Sequence, residues 1–134
     1  MPIICDTHVL LFWADAADRL PAKARAALDR GIQSSSLACS DISFWEIAML
    51  FAHDRLNRQA GVAPEAYMRD IVCAMRLQVL PITPEIAALS QSHPFLHEDP
   101  ADRLIAATAL IHRALLLTAD EKLRQTPNLV TLWD

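Results

Sequence analysis

Four acidic side chains stand where a strand-like or loop segment gives way to a helical one. Asp6 follows Ile3-Ile4-Cys5, and Glu46 closes Ser43-Phe44-Trp45-Glu46. Asp102 ends Asp99-Pro100-Ala101-Asp102, and Asp120 follows Leu116-Leu117-Thr118-Ala119. In α/β proteins the carboxyl ends of parallel strands are where ligands bind. Four carboxylates gathered there repel one another and stay ionised together only when cations offset the charge. Clustered oxygen ligands suit hard divalent ions such as Mg²⁺ or Mn²⁺. The placement points to metal-dependent chemistry on a phosphate ester.

The elements that must position these acids are legible in the pattern. Ile3–Cys5 reads as a short buried strand, and Thr7–Ala14 as a helix with Val9, Leu10 and Trp13 spaced for burial. Pro21 opens a helix to about Arg30, with Gly31 as its terminator. Ser35–Cys39 is a second strand, and Asp41–Ala52 a helix apolar on most sides. Pro64 opens a helix to about Arg76, and Leu77–Leu80 is a strand stopped by Pro81. Thr83-Pro84 and Asp99-Pro100 are caps followed by proline, opening helices to Ser92 and Arg113. Ala114–Leu117 is a strand, Asp120–Gln125 a short helix, and Leu129–Trp133 a closing strand. Strands alternating with helices imply α/β architecture, a mostly parallel sheet covered on both faces.

With 134 residues the chain is expected to form a single domain over 1–134. Its hydrophobic share, 53%, supports a substantial core and leaves apolar surface for a partner. No apolar run approaches the roughly 18 residues that span a bilayer, and the start, Met1-Pro2-Ile3-Ile4-Cys5-Asp6, has no basic n-region. A cytoplasmic location with no membrane partner is the expectation. Cys5, Cys39 and Cys73 form no C-x-x-C pair and read as free thiols, and neither they nor the histidines have zinc-ligand spacing. A net charge of −4 argues against a generic basic nucleic-acid binder. Yet all basic residues except Lys23 and Lys122 are Arg, the side chain that grips phosphate in a bidentate fork.

Each acid also has an ordinary explanation. Asp6 can cap the following helix, Ser43 and Glu46 fit an S-x-x-E capping box, and Thr118 and Glu121 fit another. Asp99 and Asp102 occupy cap and third positions, where a helix dipole favours negative charge. Against this, Glu46 lies beside Ile42, Met49 and Leu50, with no Lys or Arg within a turn. A partly buried acid needs a partner. Asp6 and Asp120 each closely follow a hydrophobic strand, which places both on one edge of a parallel sheet.

The whole chain resembles a PIN-domain ribonuclease of the VapC type, the toxin half of a toxin–antitoxin pair. The resemblance is carried by Asp6-Thr7-His8-Val9-Leu10-Leu11, Ser43-Phe44-Trp45-Glu46-Ile47-Ala48, Asp99-Pro100-Ala101-Asp102-Arg103-Leu104-Ile105-Ala106-Ala107 and Thr118-Ala119-Asp120-Glu121-Lys122, in family order. It implies a three-layer α/β/α sandwich, Mg²⁺ or Mn²⁺ as cofactor, endonucleolytic cleavage of RNA, a homodimer and a cognate antitoxin. It maps the catalytic acids onto Asp6, Glu46, Asp102 and Asp120, with Asp6 and Asp102 holding the metal. Thr118 matches a supporting hydroxyl, and Asp99 is a second acid within its motif. The implied reaction is in-line attack on phosphorus by metal-activated water.

Arg103, Lys122 and Arg124 neighbour the acids and are candidates for RNA phosphates. His8 either approaches the site or is an ordinary helix-surface or core histidine. Arg55 and Arg58 read as exposed face. Trp13, Phe44, Trp45 and Phe51 read mostly as core, with some of them lining an antitoxin groove. A non-catalytic PIN-like module binding RNA or protein is the alternative, and it would normally have lost an acid. A phospho-receiver domain is disfavoured because Leu77–Pro81 ends without an acceptor acid.

Overall fold

The computed structural model describes residues 2–56, 61–92 and 98–134. Among them the chain alternates strands and helices. β1 (Ile3–Cys5) leads to α1 (Thr7–Asp15), a 3₁₀ turn at Ala17–Arg19, and α2 (Ala22–Ser34). β2 (Leu37–Ser40) is followed by α3 (Ile42–Ala52) and α4 (Pro64–Met75), and β3 (Gln78–Leu80) by α5 (Pro84–Ser90) and α6 (Pro100–Ile111). β4 (Leu115–Leu117), α7 (Glu121–Arg124) and β5 (Thr131–Leu132) complete the order.

All neighbouring strands run parallel, in the order β3-β2-β1-β4-β5. β1 is therefore central, with Ile4 facing Ala38 of β2 on one side and Leu116 of β4 on the other. Successive strand residues point to opposite faces. Ile4, Ala38, Leu80 and Leu116 enter one core with Ile86, Ile105 and Leu123. Cys5, Leu37, Cys39 and Leu117 enter the other with Val9, Leu28, Ile71 and Met75. The sheet is thus covered on both sides, as βαβ connections require.

Chain order reverses across β1 and β4: the strands numbered upward from β1 lie on one side, and β4 and β5 on the other. Such a switch point opens a crevice beyond the strand carboxyl ends. Asp6 follows β1 there, and Thr118 to Asp120 follow β4.

The helix ends show which signals were read correctly. Thr83 caps α5 by accepting from the Ile86 amide, and Asp99 caps α6 by accepting from the Ala101 amide. Gly31 does not terminate its helix. α2 continues to Ser34 and ends where Ser35 turns left-handed at φ 53°. Gly31 is instead a contact residue, because a Cβ there would lie 2.2 Å from Leu37 Cδ2. β2 begins two residues later than expected, and the closing strand shrinks to Thr131–Leu132. Arg58 lies outside the described residues.

Cys5, Cys39 and Cys73 are free. Burial pushes the Cys39 thiol up to about 12, with Asp41 adding to it, and raises Cys5 further, so neither is a nucleophile. Among the described residues no helix is long and apolar enough to cross a membrane.

The Gly31–Leu37 contact yields a test. Alanine favours a helix interior over glycine by roughly 1 kcal/mol. Leu37 is 1% exposed and has nowhere to retreat. Gly31→Ala is expected to destabilise the protein by about 1–3 kcal/mol in urea unfolding, and a Leu37→Ala background should absorb most of that cost. A stabilising Gly31→Ala would show that the contact is soft.

Candidate functional site

Asp6 is the N-cap of α1 and is 2% exposed. Both of its carboxylate oxygens accept hydrogen bonds. Oδ1 accepts from the Thr7 amide at 2.8 Å, and Oδ2 accepts from the Thr118 hydroxyl at 2.7 Å. His8 Nδ1 lies 3.3 Å from Oδ2. The Thr118 bond crosses the switch point, since Cys5 and Leu117 are paired in the last register of β1 and β4. Thr118 Oγ1 also accepts from the Asp120 amide at 3.1 Å, and Asp120 Oδ1 caps α7 by accepting from the Leu123 amide at 3.0 Å.

Thr7 joins this group to α3. Its hydroxyl donates to Glu46 Oε1 at 2.5 Å and lies 2.8 Å from Ser43 Oγ. Thr7 has a single hydroxyl proton, so with Glu46 ionised the Ser43 hydroxyl donates to Thr7. The S-x-x-E capping box does not form. α3 already starts at Ile42, which puts Ser43 inside the helix, and Asp41 is the cap. Ser43 is fully buried, and both residues of the motif turn to Thr7 rather than to their own backbone. The T-x-x-E reading of Thr118 and Glu121 fails similarly, because Asp120 is the cap.

Burial raises the Glu46 carboxyl above the ordinary glutamate value of 4.5. The Thr7 hydrogen bond opposes the shift, and the negative charges of Asp6 and Asp99 add to it. Asp6, Glu46 and Asp99 thus share one electrostatic neighbourhood. Asp102 lies three residues beyond Asp99, half-buried in the first turn of α6, on the face that i, i+3 spacing gives them in common. Glu46, Glu98 and Asp99 line a cavity of about 420 Å³ with Trp45 and Met49.

The other candidates are placed differently. Arg103 Nε donates to the Ser90 carbonyl at 2.7 Å, tying α6 to α5. Arg124 pairs with Asp134 at 2.9 Å on an exposed surface. Lys122 is exposed. Of the aromatic set, Trp45 is 57% exposed, whereas Phe51 is 6% exposed and packs its ring against Tyr67, so Phe51 belongs to the core. Trp13 is partly buried against the second core.

Sequence reasoning passed over Thr7, Ser43 and Glu98. Thr7 and Ser43 each adjoin or share a motif with an acid, and a hydroxyl beside a carboxylate was the available signal. Glu98, next to Asp99, carried none beyond its charge.

Among the described residues no group of three or more His, Cys, Asp and Glu forms a ready metal cage. The donor set near Glu46 is nonetheless all oxygen and mutually repulsive. That composition fits Mg²⁺, which keeps several waters and binds through one or two carboxylates.

A parallel sheet with a carboxylate-lined switch point defines an α/β protein with a site for cationic or phosphate chemistry. The chain belongs to the PIN domain family, whose model matches residues 3–129. It is 33% identical over 134 residues to Ribonuclease VapC22 of Mycobacterium tuberculosis, covering 98% of each chain. The fold matches VapBC2 from Rickettsia felis, solved bound to a DNA fragment from their promoter, with a TM-score of 0.73, 17% identity and 100% of both chains covered. It also matches DNA-bound VapBC from Salmonella typhimurium, with a TM-score of 0.69 and 17% identity over 98% of this chain and 97% of that one.

Glu46 makes stability depend on pH in a defined direction. Its folded value lies above the ordinary one, so the fold binds this proton more tightly than the unfolded chain does. That stability is fully present below the unfolded value and is lost as pH rises through the folded one. Gln keeps an oxygen for the Thr7 hydroxyl while removing the charge. In chelator, Glu46→Gln is therefore expected to be more stable than the parent at pH 7, with the advantage fading towards pH 4. Urea unfolding at both pH values measures it, and a constant difference would contradict the assignment.

Proposed function

We propose that this chain is a metal-dependent endoribonuclease acting as the toxin of a toxin–antitoxin pair. The observation that carries the reading is the wiring of Asp6. A buried carboxylate at the switch point is joined through Thr118 to the Asp120 loop and through Thr7 to Glu46. The PIN family match and the ribonuclease relative support the same reading.

Asp6 and Asp102 are the proposed holders of Mg²⁺ or Mn²⁺, with Glu46 and Asp120 completing the acidic wall. When bound, such an ion supplies the charge that lowers a water's pKa and offsets the phosphoryl oxygens. The chain's own residues do the rest. Thr118 and the Thr7 amide fix the Asp6 carboxylate, so no rotamer search precedes substrate binding. Thr7 occupies Glu46 Oε1 and leaves Oε2 to accept a proton from the attacking water. Asp99 and Asp120 each cap a helix, where backbone amides steady a carboxylate.

For RNA phosphates, exposed Lys122 is the readiest of the three candidates. Arg124 would exchange a surface pair with Asp134, a contact of small worth, for a phosphate. A cognate antitoxin fits the cavity beside Glu46, since Trp45 and Met49 give it an exposed apolar rim over an acidic floor. A basic side chain from that partner would offset the repulsion among the acids. Co-purification with the small protein of the adjoining gene is the check. A homodimer belongs to the same proposal.

Asp102→Asn keeps the size of the side chain and removes its charge. It is expected to cut RNA cleavage by at least about 100-fold, as loss of one charge-stabilising group does, while the melting temperature moves little. Cleavage at the parent rate would remove Asp102 from the mechanism. Asp6→Asn is the less clean probe. Charge relief alone argues for a stable variant, but an amide must turn an N–H toward either the Thr7 amide or the Thr118 hydroxyl.

A further inference from the structure

The His8 side chain touches both exits of the switch point. Its Nε2 accepts from the Ala119 amide at 2.9 Å, and its Nδ1 lies 3.3 Å from Asp6 Oδ2. A backbone N–H can only donate, so Nε2 carries the lone pair and the proton sits on Nδ1, the nitrogen beside the carboxylate. The ring is held as well. It packs edge-on against Trp133 at 5.9 Å and 76°, and tilted against Phe12 at 5.5 Å.

These contacts close a loop. Asp6 Oδ2 is bonded to Thr118, the chain runs on to Ala119, the Ala119 amide reaches His8, and His8 returns to Asp6 Oδ2. Ala119 stands between Thr118 and Asp120. Fixing its amide therefore fixes the segment that delivers both the hydroxyl on Asp6 and the last acid. The His8 side chain is 30% exposed, and neither nitrogen is left to receive a substrate proton.

We infer that His8 is a positioning residue for the cleavage reaction: it locks the Asp6 carboxylate and the Thr118–Asp120 segment in register across the β1–β4 switch point. This rests on the ribonuclease reading. It also accounts for a histidine two residues after the first acid without making it a base, a nucleophile or a metal ligand.

Three substitutions separate the two contacts. His8→Ala removes both. His8→Gln places an amide oxygen near the former Nε2, keeping an acceptor for Ala119. His8→Asn reaches only the Nδ1 position. Cleavage sites are first mapped on a long single-stranded phage RNA, and rates are then measured on a short oligonucleotide spanning the strongest site. Outer-shell partners of metal-binding carboxylates are typically worth 10–100-fold. His8→Ala is expected to lower kcat by about that factor with KM within about twofold, and His8→Gln to recover most of the loss. Mn²⁺ binding by calorimetry without RNA should weaken in His8→Ala and return in His8→Gln.

An unchanged kcat in His8→Ala, or a His8→Gln no better than His8→Ala, overturns the proposal. So does a kcat loss that merely follows the folded fraction at the assay temperature. If the parent cleaves no RNA, the ribonuclease reading fails separately. The Mn²⁺ measurement then decides, with weakening in His8→Ala supporting the positioning role and equal affinity overturning it.

Discussion

A carboxylate that is 2% exposed has to replace the water it gave up. Asp6 does so with donors from three directions, the Thr7 amide, the Thr118 hydroxyl and the edge of His8. Burying a polar group without partners costs several kcal/mol, and a charged one more. The fold around Asp6 is arranged to avoid that cost. β1 must lie beside β4 so that Thr118 can reach across, α1 must begin at Thr7 so that its first amide points back, and α3 must place Ser43 and Glu46 against the Thr7 hydroxyl. The order of strands and the position of the acids are one constraint seen twice.

The same arrangement carries electrostatic tension. Burial chiefly raises the proton affinity of Glu46, and the negative charges of Asp6 and Asp99 add to it. No closed cage of ligands stands ready among the described residues. An open, oxygen-rich site suits an ion that must also meet a substrate phosphate. Hydroxyls and a backbone amide hold the Asp6 and Glu46 carboxylates in place. The chain itself thereby positions both carboxylates, and electrostatic stabilisation of a transition state depends on such preorganisation.

Much of this was legible in the residues. Apolar β1 and β4, each followed closely by an acid, placed Asp6 and Asp120 on one sheet edge. Thr83-Pro84 and Asp99-Pro100 marked two helix starts to within a residue. What escaped was non-local. Ser43 and Glu46 look like a capping box to any rule confined to four residues, yet their shared partner, Thr7, is 36 and 39 positions away. His8 looks like a helix-surface residue until Ala119, 111 positions on, donates to it. Gly31 reads as a terminator because glycine so often is one, whereas the left-handed turn falls on Ser35 and the glycine makes room for Leu37.

The proposed reaction depends on a divalent ion seated against the Asp6 carboxylate at the β1–β4 switch point. Anomalous scattering from crystals soaked in Mn²⁺ measures this directly. A strong peak is expected within bonding distance of Asp6, with Asp102 on the same ion or joined to it through water. A peak confined to Glu98 at the cavity rim, or no peak at Asp6 at saturating Mn²⁺, would contradict it.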